Sequence, residues 1–398
     1  MRILKIWDAD YPWDIRVEKI VNTLSKNGHC ICLVCRNLRC LPSYEVTESV
    51  KIFRLPWTGN KFFNRFVSFP YFFNILWLWK IYQVARKERP DAILVRDLPL
   101  ALSAVIVAKC LKVPVVLDYA ENYPAMLKGR KYLRKLKIHQ LFIRNAQLAR
   151  IVEWITLKSA KRVIIVVEEN KRRYVQKGIP LNKLYLVSNT PDLDSLDGSQ
   201  RELPYEEKSF FAERYTLIYV GSLGPVRGLE MVIEAMPRII EKIPEVHLLL
   251  IGAGANKEIL ERLVAKNKVS EYVTLKGWLD FRYVPQYLKA ARAGIIPHLL
   301  TEHTSTTIPN KIFDYMAHGL PVIASDVAPM KRIIEEENCG VTFKANNKDD
   351  FVNAVIRVCH EQKNRFGENG RAAVYRKYNW KEDSAILLKV FDDLHRMA

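Results

Sequence analysis

A lysine and an aspartate three residues apart, Lys311 and Asp314, follow a loop of small polar residues and precede a glycine break. Their spacing puts both side chains on one face of the predicted helix. A lysine can bind a phosphate, whereas a carboxylate beside a phosphate is repelled and accepts hydrogen bonds from sugar hydroxyls instead. The pair therefore predicts a phosphate next to a ribose, as in a nucleotide. The alternative is an ordinary i,i+3 ion pair on a surface helix.

Four loops in the second half of the chain follow predicted strands, and ligands of open α/β sheets bind at that edge. In the first loop, Gly221 allows a tight turn and Arg227 can reach an anion. In the second, Gly252 belongs to a short G-A-G, which lacks the full dinucleotide fingerprint, and the chain has no P-loop. The four loops are GSLGPVRG (221–228), IGAGAN (251–256), KGWLD (276–280) and HLLTEHTSTTIPNK (298–311).

The last of these loops leads into a helix that we expect Pro309 to begin. The backbone N–H groups of Thr306, Thr307 and Ile308 would then face a phosphate at the positive end of the helix. Lys311 adds a full charge, and a hydrogen bond to a charged group is worth about 1.5–3 kcal/mol.

Short apolar strands alternate with helical stretches along the whole chain, which predicts parallel sheets covered by helices on both faces. The alternation restarts after residue 190, and 398 residues exceed one typical domain. We therefore predict two Rossmann-like, doubly wound α/β domains facing each other across a cleft. The first spans 1–190, the second spans 191–375, and a C-terminal helix at 376–398 packs back towards the first. A polar linker is expected at 189–208.

The excess of positive charge is confined to the first half. Residues 1–190 hold 34 Lys and Arg against 14 Asp and Glu, whereas the rest holds 28 against 29. Such asymmetry favours an anionic partner that touches only the first half, either a membrane surface, a lipid phosphate or nucleic acid. No RRM, KH or helix-turn-helix signature supports nucleic acid. A solvated basic surface is the alternative.

Two stretches of the first half point to a membrane surface. The stretch 66–79 has no charge and is rich in Phe, Tyr and Trp, and 128–150 is a basic amphipathic stretch with eight Lys or Arg and no acid. No apolar run is long enough to span a bilayer, and the charged N-terminus is unlike a signal peptide. We therefore expect a cytoplasmic protein, peripheral on the inner face of the cell membrane.

A metal site is not expected, although two patterns resemble one. Four of the seven cysteines lie in CICLVCRNLRC, but on a strand Cys30 and Cys32 share one face while Cys35 lies on the other. No second Cys or His pair follows at zinc-finger spacing. The D-A-D at 8–10 is expected to shape the turn after the first strand. The absence of a secretory signal favours free thiols in a reducing compartment.

The second half resembles the donor domain of the group 1 family of retaining glycosyltransferases, which have the GT-B fold. The family pattern V-G-x5-[KR]-G is matched by YVGSLGPVRGLEMVIEA, and [PS]-x-K-h-x-E-Y-M-A-x-G-x-P-V-I-A by IPNKIFDYMAHGLPVIASD. In the first half, DYAENYP and SNTPD resemble two further family segments, so the resemblance covers nearly the whole chain.

The resemblance implies that Arg227 and Lys311 hold the donor diphosphate, Asp314 the ribose, and Gly277 and Trp278 the base. The family needs no cofactor and no metal, and the nucleoside-diphosphate sugar is a substrate. The residues predicted to bind the donor are Gly221, Ser222, Arg227, Gly252, Gly277, Trp278, Thr306, Thr307, Ile308, Lys311 and Asp314.

Three positions depart from the family pattern. The first acid of its E-x7-E element falls on Thr306, and the arginine common after the first glycine is Ser222. The histidine of D-x-H-[DE] is replaced by Ala120, which leaves Glu121 as the nearest catalytic candidate. Arg227 and Lys311 complete the predicted catalytic set by stabilising charge on the leaving diphosphate.

We therefore expect glycosyl transfer, with retention, from a nucleoside-diphosphate sugar to a lipid-linked or cell-surface polysaccharide or lipopolysaccharide acceptor. The acceptor would enter from the basic half, near Asp14, Arg16 and Glu121. One alternative is a nucleotide-sugar epimerase on the same scaffold. The other is a binding protein without activity, which the departures at Thr306 and Ala120 permit.

Overall fold

The chain forms two compact units, and it returns from the second unit to the first within the first turn of its last helix. The first unit is Met1–Ser188 with Asp383–Ala398, and the second is Asn189–Glu382. The predicted boundary at 190 lies two residues away. The computed structural model describes residues 1–12, 14–56, 60, 64, 67, 72–130, 145–196, 201–361 and 364–396.

The first unit contains an eight-stranded sheet in the order β3-β4-β2-β1-β5-β6-β7-β8. Its pairs are parallel apart from β3 and β4. The central strands are buried along almost their whole length, as expected of a sheet covered on both faces. The strands are β1 (Arg2–Ile6), β2 (Cys30–Cys35), β3 (Tyr44–Val46), β4 (Val50–Arg54), β5 (Ala92–Arg96), β6 (Val115–Tyr119), β7 (Arg162–Ile165) and β8 (Leu184–Leu186).

Helices connect these strands, and three of them begin at an Asp or Asn whose side chain accepts a backbone N–H of the first turn. These caps are Asp14, Asn74 and Asn145. Helices α2 and α5 both pack on α3. The helices of this unit are α1 (Ile15–Lys26), α2 (Ile75–Glu88), α3 (Ala101–Leu111), α4 (Tyr123–Arg130), α5 (Ala146–Ser159) and α6 (Glu168–Gln176).

The second unit contains a six-stranded, fully parallel sheet in the order β11-β10-β9-β12-β13-β14. Its strands are β9 (Tyr215–Val220), β10 (Val246–Ile251), β11 (Val273–Gly277), β12 (Ala293–Ile296), β13 (Val322–Ser325) and β14 (Gly340–Phe343). Its helices are α7 (Leu193–Leu196), α8 (Tyr205–Ala212), α9 (Leu229–Lys242), α10 (Lys257–Lys266), α11 (Val284–Ala290), α12 (Lys311–Ala317), α13 (Ala328–Glu337), α14 (Lys348–Cys359) and α15 (Arg365–Arg376). Helix α16 (Trp380–His395) contains the boundary between the units.

The structure confirms the α/β class with two doubly wound domains and corrects three details. Strand β3 pairs antiparallel with β4, whereas we predicted parallel sheets. The polar segment 189–208, predicted as a linker, contains α7 and the first half of α8. Helix α12 begins at Lys311 and not at Pro309.

Part of each predicted membrane stretch lies outside the described residues. For 66–79 these are 66 and 68–71, and for 128–150 they are 131–144. The described ends of the two stretches belong mainly to α2 and α5.

Candidate functional site

Backbone hydrogen bonds join the four glycine- and threonine-rich loops at the carboxyl edge of the second sheet. The Leu223 N–H donates to Ala253 O at 2.9 Å, and Asn256 N–H donates back to Leu223 O at 3.0 Å. The Gly252 N–H donates to Gly277 O at 2.8 Å. The Leu299 N–H donates to Val226 O at 3.1 Å and so ties the last loop to the first. The predicted loops therefore form one connected surface within this unit.

At two positions between these loops the backbones approach so closely that only glycine fits. Gly252 has a φ of 144°, and a Cβ there would lie 1.9 Å from Gly221 O. Gly228 has a φ of 68°, and a Cβ there would lie 1.9 Å from Pro297 O. Both φ values lie in a region that L-residues rarely adopt, so the sequence fixes the loops against each other.

Arg227, His298 and Lys311 meet on this surface. Arg227 ends a 3₁₀ turn at Pro225–Arg227. The side-chain Nη1 of Arg227 lies 3.3 Å from Nε2 of the buried His298. The Lys311 ammonium lies 3.4 Å from the centre of the Tyr219 ring, which its positive charge favours.

Burial and like charge shift the pKa values of this group. Burial lowers the pKa of Lys311 well below its usual value, the cation of Arg227 lowers it further, and Asp314 opposes this. Burial, Lys311 and Arg227 also lower the pKa of His298 well below its usual range. A charge that is disfavoured by its surroundings is stabilised when an anion binds beside it. The cluster is therefore electrostatically suited to bind an anion.

Helix α12 is held against the sheet by Tyr315, and this fixes the position of Lys311 one turn earlier. The Tyr315 hydroxyl accepts the Val220 N–H at 3.0 Å. Its ring occupies the space beside Gly294, where a Cβ would come within 2.2 Å of the ring. Asp314 also lies on α12 and is partly buried.

The threonine loop differs from its prediction at one residue. The Thr306 N–H donates to His303 O at 3.1 Å within a 3₁₀ turn, so it does not point at a ligand as we predicted. In the described part of the chain the Thr307 and Ile308 amides donate to no backbone carbonyl. Helix α12 has seven residues and starts at Lys311, and contact of the Thr307 and Ile308 amides with a phosphate stays a prediction.

The remaining predicted donor residues lie on the same edge. Ser222 is exposed, and its carbonyl accepts the Tyr219 hydroxyl at 2.8 Å. Gly277 ends β11 with a φ of 77°, and the next side chain, Trp278, is 76% exposed. A flat aromatic ring at this exposure is available to stack on a base.

In the first unit, ionic side chains lie at the carboxyl ends of β1, β5 and β6, which are neighbours in the sheet. Arg96 donates to the Asp14 carboxylate at 2.7 Å and lies 3.5 Å from the Asp97 carboxylate. Asp97 Oδ1 accepts the backbone N–H groups of Ala120 at 3.0 Å and Glu121 at 3.2 Å. This network links the predicted residues Asp14 and Glu121.

Asp97 is unusual within this network. It is buried, and its φ of 59° is left-handed, which is uncommon for a residue other than glycine. Burial raises the pKa of Asp97 to about 7, against the opposing charge of Arg96. Strained backbone of this kind often marks a functional edge.

Arg16 lies below this edge in a buried ion cluster. Its guanidinium donates to the Asp118 carboxylate at 2.6 Å and to the carbonyls of Val187 and Ser188, both at 3.0 Å. Lys5 reaches the same carboxylate at 3.4 Å. Although burial raises it, the pKa of Asp118 is held well below its usual value by Arg16 and Lys5. The guanidinium of Arg16 thus donates its hydrogen bonds within the protein. Direct contact of Arg16 with the sugar acceptor stays a prediction.

Two site residues were missed from the sequence, namely His298 and Asp97. Each stands within two residues of the end of an apolar strand, at the sheet edge where ligands bind. A polar residue just after an apolar strand was therefore the sequence feature that could have indicated both residues.

Among the described residues no group of three or more His, Cys, Asp or Glu side chains could hold a metal ion. Asp8 instead pairs with Arg36 at 2.7 Å, and the Asp10 carboxylate accepts the Leu38 N–H at 2.6 Å. These bonds shape the turn after β1. Within the described ranges no helix is both long and apolar enough to cross a membrane.

Two family models match the chain in succession. Residues 15–195 match Glycosyltransferase Family 4, and residues 214–361 match Glycosyl transferases group 1. The chain belongs to the group 1 glycosyltransferases. Its two α/β units form the GT-B fold of that family, as predicted.

Relatives of this glycosyltransferase are distant in sequence. An uncharacterized glycosyltransferase of Methanocaldococcus jannaschii is 23% identical over 92% of this chain and 90% of its own length. A phosphatidyl-myo-inositol mannosyltransferase of Mycolicibacterium smegmatis is 23% identical over 52% of this chain, which spans about half of that protein (49%). An Escherichia coli enzyme named UDP-Gal:alpha-D-GlcNAc-diphosphoundecaprenol alpha-1,3-galactosyltransferase is 22% identical over 76% of this chain and 75% of its own.

Solved structures resemble this glycosyltransferase over its full length. Sucrose-phosphate synthase from Thermosynechococcus elongatus aligns with a TM-score of 0.77 at 19% identity, covering 100% of both chains. HepE of Anabaena, in complex with UDP, aligns with a TM-score of 0.72 at 13% identity, covering 99% of this chain and 100% of its own. At these identities the likeness concerns the fold.

Proposed function

We propose that this protein transfers a glycosyl unit, with retention, from a nucleoside-diphosphate sugar to a hydroxyl of a lipid-linked or cell-surface polysaccharide or lipopolysaccharide acceptor. Binding of the nucleotide sugar is supported mainly by one observation. Arg227 and Lys311 lie together at the carboxyl edge of a Rossmann-like sheet. A likeness to a UDP complex supports the same choice of ligand.

The two cations match the chemistry of the leaving group. Negative charge builds on the diphosphate as the glycosidic bond breaks, and preorganised positive groups stabilise that charge. Arg227 is held between two loops, and Lys311 is held by its helix against Tyr219. Positive groups that are already in place when the charge develops need little reorganisation. Asp314 would bind the ribose hydroxyls and Trp278 the base.

The first unit supplies the proposed acceptor side. Glu121 is the proposed catalytic carboxylate, because the loop that carries it is held by two hydrogen bonds to Asp97. Asp14 and Arg16 belong to the ion clusters that keep this edge in place. Retention is proposed from the family resemblance alone.

A membrane-borne acceptor is supported by the outer faces of α2 and α5. Ile75, Trp79 and Tyr82, spaced along one face of α2, are 71%, 58% and 41% exposed. On α5, Leu148, Ile151 and Trp154 are 43%, 56% and 51% exposed. Two helices that both pack on α3 and expose large apolar side chains favour insertion into a lipid interface. The names of two relatives also describe acceptors carried on lipids.

The charges on these helices favour an anionic surface. Each helix contains a single acid, and each acid is buried in an ion pair. Glu88 pairs with Lys51 at 3.0 Å, and Glu153 pairs with Arg173 at 2.7 Å. Exposed arginines are left beside the apolar residues, and anionic lipids attract them.

The enzymatic proposal is tested by incubating the protein with a panel of radiolabelled nucleotide sugars and a membrane extract. We expect nucleotide release together with label in the lipid or polysaccharide fraction, and both are lost in Arg227→Ala. The anomeric proton coupling in the product, read by NMR, reports retention or inversion. Turnover of the nucleotide sugar without acceptor would select an epimerase, and binding without turnover would select a non-catalytic protein.

The membrane proposal is tested by vesicle flotation. We expect binding to vesicles that contain phosphatidylglycerol, weaker binding at high salt, and loss of binding in Trp79→Ser/Trp154→Ser. The matched control is Ile259→Ser/Tyr375→Ser, which removes two exposed apolar side chains from the second unit. Equal flotation of all three proteins, or no flotation of the wild type at low salt, would contradict this surface.

A further inference from the structure

His298 touches the arginine of the donor site, and the function proposed above gives it no role. It is 3% exposed and lies two residues after β12. Its ring Nε2 lies 3.3 Å from Arg227 Nη1. A guanidinium can only donate hydrogen bonds, so the ring nitrogen must accept. The contact therefore requires a neutral imidazole with its proton on Nδ1.

The surroundings of His298 keep the ring neutral. Lys311 on α12, Arg227 on the 3₁₀ turn and His303 on the threonine loop all disfavour a positive charge on it. Burial acts in the same direction, and it is the largest cause of the lowered pKa. Arg227 thus donates a hydrogen bond to a neutral ring and not to a carboxylate. Its full positive charge therefore stays available to a ligand.

The backbone around His298 is fixed from both sides. The Ser325 hydroxyl donates to His298 O at 2.6 Å and ties the residue to β13. On the other side, Leu299 N–H bonds to Val226 O, and Pro297 O lies against Gly228. The imidazole is therefore a rigid support for a long arginine side chain, whose freedom would otherwise oppose binding.

We propose that His298 is a positioning residue of the donor site, a neutral acceptor that aims the Arg227 guanidinium at the donor diphosphate. The inference rests on the proposed function, since it concerns the same diphosphate. His298 acts through Arg227 and does not itself contact the ligand. It accordingly governs affinity for the nucleotide and not recognition of the acceptor.

The test compares two substitutions of similar length. His298→Gln keeps a side-chain oxygen that can accept from Arg227, whereas His298→Met keeps the volume and leaves only a thioether sulfur, which is a weak acceptor. We expect Kd for UDP or GDP, whichever binds the wild type, to rise about tenfold in His298→Met, the lower end of the range for a hydrogen bond to a charged group. His298→Gln should restore most of the affinity. In turnover, the donor KM should rise while the acceptor KM stays unchanged.

A double-variant cycle separates positioning from a general loss of structure. In the Arg227→Ala background, His298→Met should weaken nucleotide binding no further, because the side chain that it positions is gone. A purely structural role predicts that the two losses add. The control is His247→Met, since His247 is also buried but lies at the amino end of β10 and bonds to Thr274.

The outcomes distinguish this inference from the function on which it rests. If the wild type binds a nucleoside diphosphate and His298→Met binds it equally well, the positioning role is wrong and the donor site stands. Additive losses in the cycle, or a loss in His298→Gln as large as in His298→Met, also overturn it. If the wild type binds no nucleoside diphosphate at all, the donor site itself fails.

Discussion

Lys311 offers the most informative perturbation of the donor site. Lys311→Met keeps a flexible, unbranched side chain and removes the ammonium group that lies over the Tyr219 ring. A hydrogen bond to a charged group contributes about 1.5–3 kcal/mol, so Kd for the nucleoside diphosphate should rise about 10- to 150-fold. The effect belongs to the diphosphate and should appear with any base that binds.

The same substitution should not destabilise the protein without ligand. Without a bound anion the Lys311 ammonium is desolvated by burial and lies near the cation of Arg227, so its pKa is lowered. The unfolded lysine has a pKa of about 10.4, so between the two values the unfolded chain binds more protons and stability rises with pH. Removing the charge should therefore leave Tm unchanged or raised at neutral pH, and the advantage over the wild type should shrink as the pH approaches about 10.

Thermal melting with and without nucleotide measures both effects in one assay. The matched control is Lys331→Met, which neutralises an exposed lysine paired with Glu335 on α13. Lys331→Met should keep the nucleotide-induced rise in Tm, and Lys311→Met should lose most of it. A lower Tm for Lys311→Met without ligand, together with an unchanged nucleotide shift, would refute the assignment of Lys311 as a ligand-binding cation.

Four other perturbations have defined outcomes. Asp118→Asn leaves two buried cations without a counter-charge and should lower the free energy of unfolding by about 3–5 kcal/mol, measured by urea denaturation; a change near zero would contradict the ion cluster. Because the pKa of Asp97 is raised to about 7, the folded state binds more protons than the unfolded state between about pH 4 and pH 7, so wild-type stability falls across that range. The difference in Tm between Asp97→Asn and the wild type should therefore rise from about pH 4, the pKa of an unfolded Asp, to about pH 7, the pKa of folded Asp97. A difference that stays constant over this range would argue against a buried, protonated carboxyl group at Asp97. Gly228→Ala would place a Cβ 1.9 Å from Pro297 O and should cost about 1–3 kcal/mol of stability while weakening nucleotide binding, and a wild-type melt would contradict the close approach. The family resemblance implies that EDTA leaves turnover unchanged, and loss of activity that Mg²⁺ restores would contradict it.

The sequence predicted the elements better than their polar contacts. Alternating apolar strands and helices specify parallel sheets because each strand must be covered on both faces. The pairing of β3 was missed because a strand of three largely exposed residues carries no periodic signal. Helix α12 was placed two residues early because proline is common in a first turn but does not set the cap.

The candidate site was predicted in part. Arg227, Lys311 and the glycines follow strands, so topology brings them together. The support from His298 and Asp97 could not be read from the chain, since a buried polar residue is recognised by its partners and not by its spacing. Arg16 illustrates the converse, because it was expected near the entering acceptor, whereas its guanidinium donates to Asp118 and to two carbonyls of the protein.

Equilibrium titration with a panel of nucleoside diphosphates tests the central claim most directly. The claim predicts that at least one diphosphate binds the wild type, and that Arg227→Ala weakens it at least about tenfold. The corresponding nucleosides, which lack phosphates, should bind both proteins weakly. Equal affinity of Arg227→Ala and the wild type for the diphosphate would contradict the account.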